Sequence, residues 1–486
     1  MLLALVLGIP LALAALAFAF PRSRAFGAVN ALGHLGVLVA ATGIASSCAG
    51  RAAPLAYVRF FRIDALSAWF MLTIALVDFA AALYSTGYVA RDLREGALSE
   101  MKAKVYYALF NLFTFSMFLA TSVDNLGMLW VAIEMTTLVS AFLVGFYTTK
   151  RSVEAAWKYI IICSVGISLA LLGTILLSWT VARQGGIASL NWSEIMGVAG
   201  KLDPSVVKLA FLFILVGYGT KAGLVPMHTW LPDAHSQALA PISALLSGVL
   251  LKTALYAMLR FAAILTRCAG SEYSGSLFII FGVLSLGVSA GFILVQRDIK
   301  RLLAYHSIEH VGIIATGIGI GGALGTYGAL FHVFNHAVTK SLLFFAAGDV
   351  VKRYRTSDMH LIRGAARALP WAGSILIVGA FALAGSPPFS IFVSEMMILI
   401  AAFRAGTYVT AGLFLLFVAV IFGAIIHHFS GVVFGRKPEG IPAGDEPAGS
   451  KLAYCVLCIF ICGAGFAVPS WFRTLLESAA GIVRGI

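Results

Sequence analysis

The chain is predicted to be an all-α polytopic membrane protein of about fourteen transmembrane helices, holding two inverted five-helix repeats with broken helices seven and twelve. Three observations predict this. Residues are 60% hydrophobic and only 11% charged over 486 positions, with a mean hydropathy of +0.95, too apolar and too continuous for a water-soluble fold. Apolar runs long enough to cross hydrocarbon recur between charged or Pro/Gly-rich breaks, and only helices satisfy their own backbone there. Most of the 34 lysines and arginines flank those runs, but Lys158, Lys221, Lys252 and Lys340 lie inside them, with Glu134 and Glu395. Six unpaired charges at mid-membrane would cost on the order of 15 kcal/mol, so partners or protonation must compensate.

In order, the expected spans are 1–20, 26–48, 64–88, 104–122, 124–147, 155–181, 205–236, 240–262, 275–295, 302–320, 324–348, 371–403, 409–434 and 452–472. The first ends in Ala17-Phe18-Ala19, which resembles a cleavage site, but no positive region precedes it and Arg22 and Arg24 follow; it reads as a retained helix. Spans seven and twelve are long and carry proline (Pro226; Pro387 and Pro388) beside an ionisable residue, Lys221 or Glu395. They lie five spans apart. An odd offset inverts the second copy, giving N-terminal helices in 1–103, a first repeat in 104–270, a second in 271–434, and a linker with the last helix in 435–486. Broken helices leave backbone carbonyls and half-helix dipoles free to handle ions or protons.

Loops after odd-numbered spans carry the larger share of the positive charge, in clusters such as Arg91/Arg94/Lys102/Lys104, Arg297/Lys300/Arg301 and Lys352/Arg353/Arg355/Arg363/Arg367. By the positive-inside rule these loops face the cytoplasm and both termini face outward. The net charge of +13 is thus largely topology, and the basic loops suit lipid headgroups or partner subunits. No basic stripe with interleaved aromatics suggests nucleic acid. The loops are too short for a soluble catalytic or redox module, and the longest polar one, from Gly435 to Ser450, reads as a flexible tether. Cys455, Cys458 and Cys462 share a helical face and read as packing residues, since a metal site would want a fourth ligand and a polar setting. No metal or cofactor is expected on this chain.

The ionisable residues form a pattern. Glu134 lies halfway along its span, and Lys221 is the best candidate partner; a change in their contact would switch the lysine between holding and releasing a proton. Lys252 is central in its span with no local carboxylate. Lys158, about one turn inside its span, suits snorkelling as well as a relay. His332, His336 and Lys340 recur at i, i+4 and i+8 and read as a proton wire. His306, Glu309 and His310 are close together; their spelling also fits an H-x-x-E-H metallopeptidase, which would need a third ligand and peptide access. With His228, these form a second group of relay candidates.

The stretch from Gly219 through Lys221, Pro226, Met227, His228, Trp230, Pro232 and Asp233 to His235 resembles the seventh-helix signature of the antiporter-like subunits of respiratory complex I. So do Asp298-Ile299-Lys300-Arg301-Leu302-Leu303-Ala304-Tyr305 and the segment His332 to Leu343. Within that family Glu134-Met135-Thr136-Thr137, Ala156-Trp157-Lys158-Tyr159 and His306-Ser307-Ile308-Glu309-His310 look most like component F of hydrogenase-4 and formate hydrogenlyase complexes. The resemblance implies a proton-translocating subunit in a prokaryotic inner membrane. It would be driven by redox chemistry at iron–sulfur and nickel–iron or other centres on partner subunits, with further antiporter-like chains beside it. It implies Glu134 and Lys221 as the coupled ion pair, Lys252 as the central proton holder, His332, His336 and Lys340 as carriers, and Glu395 at the outlet or the junction to a neighbour. The chain ends soon after the last expected span, where the largest complex I member continues into a lateral helix, and Glu395 stands where that member has lysine. Alternatives are an Mrp-like cation/proton antiporter, a membrane partner of a carbon dioxide hydrating protein, and a scaffold that no longer pumps.

Overall fold

Apolar runs bounded by capping residues become helices, because a backbone in hydrocarbon has no other way to satisfy its polar groups. The computed structural model describes residues 1–51, 54–58 and 60–485. The first part comprises α1 (Leu2–Ala19), α2 (Ser23–Cys48), a hairpin of β1 (Leu55–Val58) and β2 (Phe61–Ile63), α3 (Ala65–Arg94), α4 (Glu100–Ser122) and α5 (Leu126–Val144). Next come α6 (Lys150–Thr180), the short α7 (Trp192–Val198), α8 (Pro204–Ala222), α9 (Trp230–Gln237), α10 (Ala240–Leu245) and α11 (Leu251–Ala269). A single π turn, Leu246–Leu250, joins α10 to α11 as one continuous span. The remainder is α12 (Glu272–Val295), α13 (Ile299–Ile320), α14 (Gly322–Tyr354), α15 (Ala365–Ala368), α16 (Pro370–Leu383), α17 (Ser390–Arg404), α18 (Tyr408–Phe434), α19 (Ala448–Phe466) and α20 (Ser470–Val483). Among the described residues, 11 stretches are long and apolar enough to cross a membrane; α13, α14 and the α16–α17 pair lie alongside them.

Start signals are read by side chains. Asn125 accepts from the N–H groups of Gly127 and Met128, Asp298 from those of Lys300 and Arg301, and Thr149 forms a capping box with Ser152. The α10–α11 span is buried up to Leu265, whereas most of α1, α18 and α19 faces outward. Where α12 crosses α13, a Cβ on Gly282 would sit 2.7 Å from the Gly312 carbonyl oxygen, and one on Gly312 equally close to that of Gly282. The helices meet backbone to backbone, as small residues permit in membranes.

Both expected breaks are present. α8 stops at Gly223, whose φ of +82° ends the helix, and α9 starts seven residues later. Groups freed there find partners: Trp230 Nε1 donates to the Thr220 carbonyl at 2.9 Å, and the Val225 N–H to Ser285 Oγ at 3.0 Å. α16 and α17 are likewise separated, and Asn335 Nδ2 donates to the Ser390 carbonyl at the start of α17.

Three expectations are corrected. The last span is shorter than 452–472: α19 ends at Phe466, and α20, opened after Pro469, is a separate helix packed on α3 and α14. Proline lacks the N–H that a continuing helix would need. The Gly435–Ser450 connection is laced onto helix ends rather than hanging free: the Gly444 N–H donates to the Ala368 carbonyl, and buried Glu446 accepts from the Ala372 N–H at 2.7 Å. Lys300, counted above among loop charges, is buried and donates to the carbonyls of Ser236 and Ala238.

Candidate functional site

The π turn before Lys252 shapes the centre of the bundle. A wider turn shifts the hydrogen-bond ladder, and the Ser247 carbonyl accepts from Lys252 Nζ. The same ammonium lies 2.6 Å from His336 Nδ1 on α14. His336 stacks on His310 of α13, ring centroids 4.7 Å apart and planes at 27°. His310 Nδ1 is 2.8 Å from His332 Nε2, and His332 Nδ1 is 2.9 Å from Ser394 Oγ on α17. A file of fully buried polar side chains therefore runs from Lys252 to the second half of the broken α16–α17 pair. Glu395, next in sequence, brings a carboxylate oxygen within 4.8 Å of ring nitrogens of both His310 and His332.

A second connection leaves the same π turn. Ser247 Oγ is 2.7 Å from Ser307 Oγ on α13, one turn from Leu303, whose carbonyl accepts from Lys340 Nζ. His306 and Glu309 form a 2.7 Å pair on the same helix. Lys340 is held over the Phe344 ring at 5.2 Å, on the face that also carries His336 and His332. Among the described residues, the Nε2 atoms of His306, His310 and His336 have no hydrogen-bond partner. Buried polar atoms left this way are uncommon and accompany function.

Lys221 and Glu134 are neighbours without touching. Lys221 Nζ donates to Thr137 Oγ1 at 2.6 Å and to Tyr159 Oη at 2.7 Å, and Thr137 Oγ1 donates to Glu134 Oε2 at 3.2 Å. Ser164 of α6 donates to the other Glu134 oxygen. A single hydroxyl links the two charges, since Thr137, one turn along α5 from Glu134, stands between them.

Two relay candidates stand apart. Lys158 is 48% exposed and pairs with Glu154 at 2.8 Å and Asp233 at 3.3 Å. His228 lies in the turn between α8 and α9, its ring 6.5 Å from that of Tyr305. His306, Glu309 and His310, or His310, His332 and Glu395, are donor sets of the kind that hold zinc. The 2.7 and 2.8 Å hydrogen bonds engage the Nδ1 atoms of His306 and His310 and leave their Nε2 atoms open, and all five side chains are buried within the bundle.

Other buried polar groups were not singled out from the sequence. His34 is 2.5 Å from Asp78 and 2.9 Å from Asn111, and Thr114 donates to the other Asp78 oxygen, joining α2, α3 and α4. Arg260 forms a two-pronged pair with Asp64 at 2.6 and 2.7 Å and stacks on Trp192. His235 is buried, and among the described residues neither of its ring nitrogens has a hydrogen-bond partner. His34 and Asp78 carried the same signal as Glu134, an ionisable residue inside an apolar run.

Two interrupted spans bracketing a buried lysine–histidine file define a class: polytopic helical membrane proteins whose polar interior is built around broken helices. Within that class, the chain belongs to the family described as NADH:quinone oxidoreductase/Mrp antiporter, transmembrane, whose model matches residues 123–422. A second model, complex I chain 5 N-terminus, matches residues 58–95. The chain is 39% identical over 422 residues to a hydrogenase-4 component F homolog of Methylacidiphilum infernorum (isolate V4), covering 85% of this chain and 87% of that one. It superposes on a chain of the membrane-bound sulfane sulfur reductase, an archaeal respiratory membrane complex, with a TM-score of 0.86 and 25% identity, covering 99% and 97% of the two chains. A chain of the Mrp complex from Dietzia sp. DQ12-45-1b shares the fold, with a TM-score of 0.84 at 21% identity over 99% and 97%.

Proposed function

We propose that this chain translocates protons as an antiporter-like subunit of a membrane-bound redox complex of the hydrogenase-4, formate hydrogenlyase or complex I type. The observation that carries the reading is the buried file from Lys252 through His336, His310 and His332 to Ser394 and Glu395. Imidazoles accept a proton on one nitrogen and release it from the other, and a lysine out of water trades its proton readily with such neighbours. The Glu134–Thr137–Lys221 bridge acts as the input switch. Thr137 Oγ1 accepts from the Lys221 ammonium while its own proton points to Glu134, so a small shift of α5 against α8 changes how firmly Lys221 holds its proton. Lys252 holds the central proton, His336, His310 and His332 carry it, and Glu395 marks the outlet. Lys340, His306 and Glu309 form a side branch through Ser307 and Ser247.

In this reading the two broken spans belong to inverted repeats, and the basic loops face the cytoplasm with both termini outside an inner membrane. The iron–sulfur and nickel–iron or other redox centres are on partner chains. The named relatives are subunits of multi-subunit assemblies, which supports partner subunits here too. The test is proton pumping by the assembled complex in sealed vesicles, followed with a pH-sensitive dye alongside redox turnover. Lys221→Ala and Glu134→Ala should each lose the gradient. Full turnover with a full gradient in both variants overturns the mechanism; gradient formation that depends on sodium and needs no redox partner favours the cation/proton antiporter.

A further inference from the structure

Where α3 and α14 end side by side, a cavity of about 440 Å³ opens beneath the connection that follows α18. Arg91, Lys352, Arg353 and Arg355 line it against a single acid, Glu95, and Ile441 of the connection covers it. Two of the four cations are matched by buried carboxylates: Lys352 lies 2.6 Å from Asp92 and Arg91 3.7 Å from Asp349. Among the described residues, Arg353 and Arg355 have no carboxylate within 4.0 Å.

The bland account of such residues is that they complement the negative ends of two helices. That role is already filled in the last turns, by Arg91 and Arg94 on α3 and by Lys352 and Arg353 on α14. Arg355 lies beyond, at the C-cap of α14, with a φ of +54°. Glycine is the ordinary residue there, because a side chain strains the left-handed backbone. The chain keeps an arginine in that conformation at the edge of a cavity already rich in positive charge.

Depth points to the ligand. At 1.5 Å per residue the 30-residue α3 is about 45 Å long, longer than the roughly 30 Å of hydrocarbon, so this end reaches headgroup level. We propose that the cavity binds a phosphate-bearing anion, supplied by the headgroup of an anionic phospholipid, with Arg353 and Arg355 gripping the phosphate oxygens. Guanidinium groups match phosphate with paired donors, and basic pockets between membrane helices suit such headgroups. The site is independent of the proton pathway proposed above.

The full-length chain, reconstituted in nanodiscs of mixed phosphatidylglycerol and phosphatidylcholine, is released into the gas phase and its retained lipids are weighed. Phosphatidylglycerol should be retained by the native chain, and about tenfold less by Arg353→Gln/Arg355→Gln. Arg355→Gly serves as the folding control, since it relieves the backbone while removing the charge; it should melt no lower than the native chain and still retain less anionic lipid. Arg94→Gln, exposed and outside the cavity, should change nothing. Equal retention by native and double-variant chains overturns the proposal. So does displacement of the bound species by inorganic phosphate alone, which would make this a free-anion site, or a retained mass that is a peptide.

Discussion

Lys252 Nζ and His336 Nδ1 lie 2.6 Å apart in the wholly buried centre of the bundle, on helices that meet at a π turn. Two bases so close cannot both be protonated without strong repulsion, so their protonation is coupled and they act as a unit. Lys252→Met should therefore cut proton translocation at least about tenfold, and Lys252→Met/His336→Ala should lose little more than the single change, because coupled residues are not additive. Dye-monitored pumping per redox turnover measures both. Losses that multiply independently would show that the two residues do not work together.

Thr137 joins Glu134 to Lys221 through one hydroxyl, which accepts from the lysine and donates to the glutamate. Hydrogen bonds to charged groups are worth about 1.5–3 kcal/mol, so Thr137→Val, equal in shape, should slow pumping about tenfold or more. Thr137→Ser should keep most of it. A valine variant that pumps at the native rate would mean that Lys221 and Glu134 communicate by another route.

Asp64 opens α3, accepts from the Ser67 N–H and holds Arg260 with both oxygens. Burial pushes its carboxyl up, but the Arg260 guanidinium and the Ser67 N–H outweigh that and hold it below the ordinary value. Asp64→Asn leaves a buried guanidinium without its counter-charge and should destabilise the bundle by about 3–5 kcal/mol, read as a lower midpoint in denaturant. For a carboxylate lowered by folding, the stabilisation is complete above about pH 5 and is lost as pH falls through the lowered value. The native chain should thus weaken on strong acidification, and Asp64→Asn should show a smaller loss over the same interval.

The broken helices were legible because proline and glycine act locally: Pro226 and Pro387 mark both interruptions within a few residues. The lysines and histidines of the file were legible as misplaced charge. What could not be read was who meets whom. His310 was visible beside His306, yet its partners His332 and His336 come from the next helix, and Lys252 joins them only because a π turn rotates it there. Arg260 lay close enough to a span end to pass as a flanking charge, and its partner Asp64 is 196 residues away. The connection after α18 has the composition of a tether, but one buried carboxylate, Glu446, and a backbone hydrogen bond from Gly444 tie it down.

Gly385 offers a test of the outlet that removes no titratable group. Its φ is +68°, and a Cβ there would lie 2.1 Å from Glu395 Oε2. Gly406 has nearly the same φ, +70°, with nothing within 4 Å of the added atom. An alanine at either position carries the left-handed strain of about 1–2 kcal/mol. Only Gly385→Ala must also push the Glu395 carboxylate away from His310 and His332. Matched melting curves with pumping lost only in Gly385→Ala would tie the carboxylate's position to proton exit. Equal pumping in the two variants would detach Glu395 from the route, leaving Ser394 as the point where the histidine file ends.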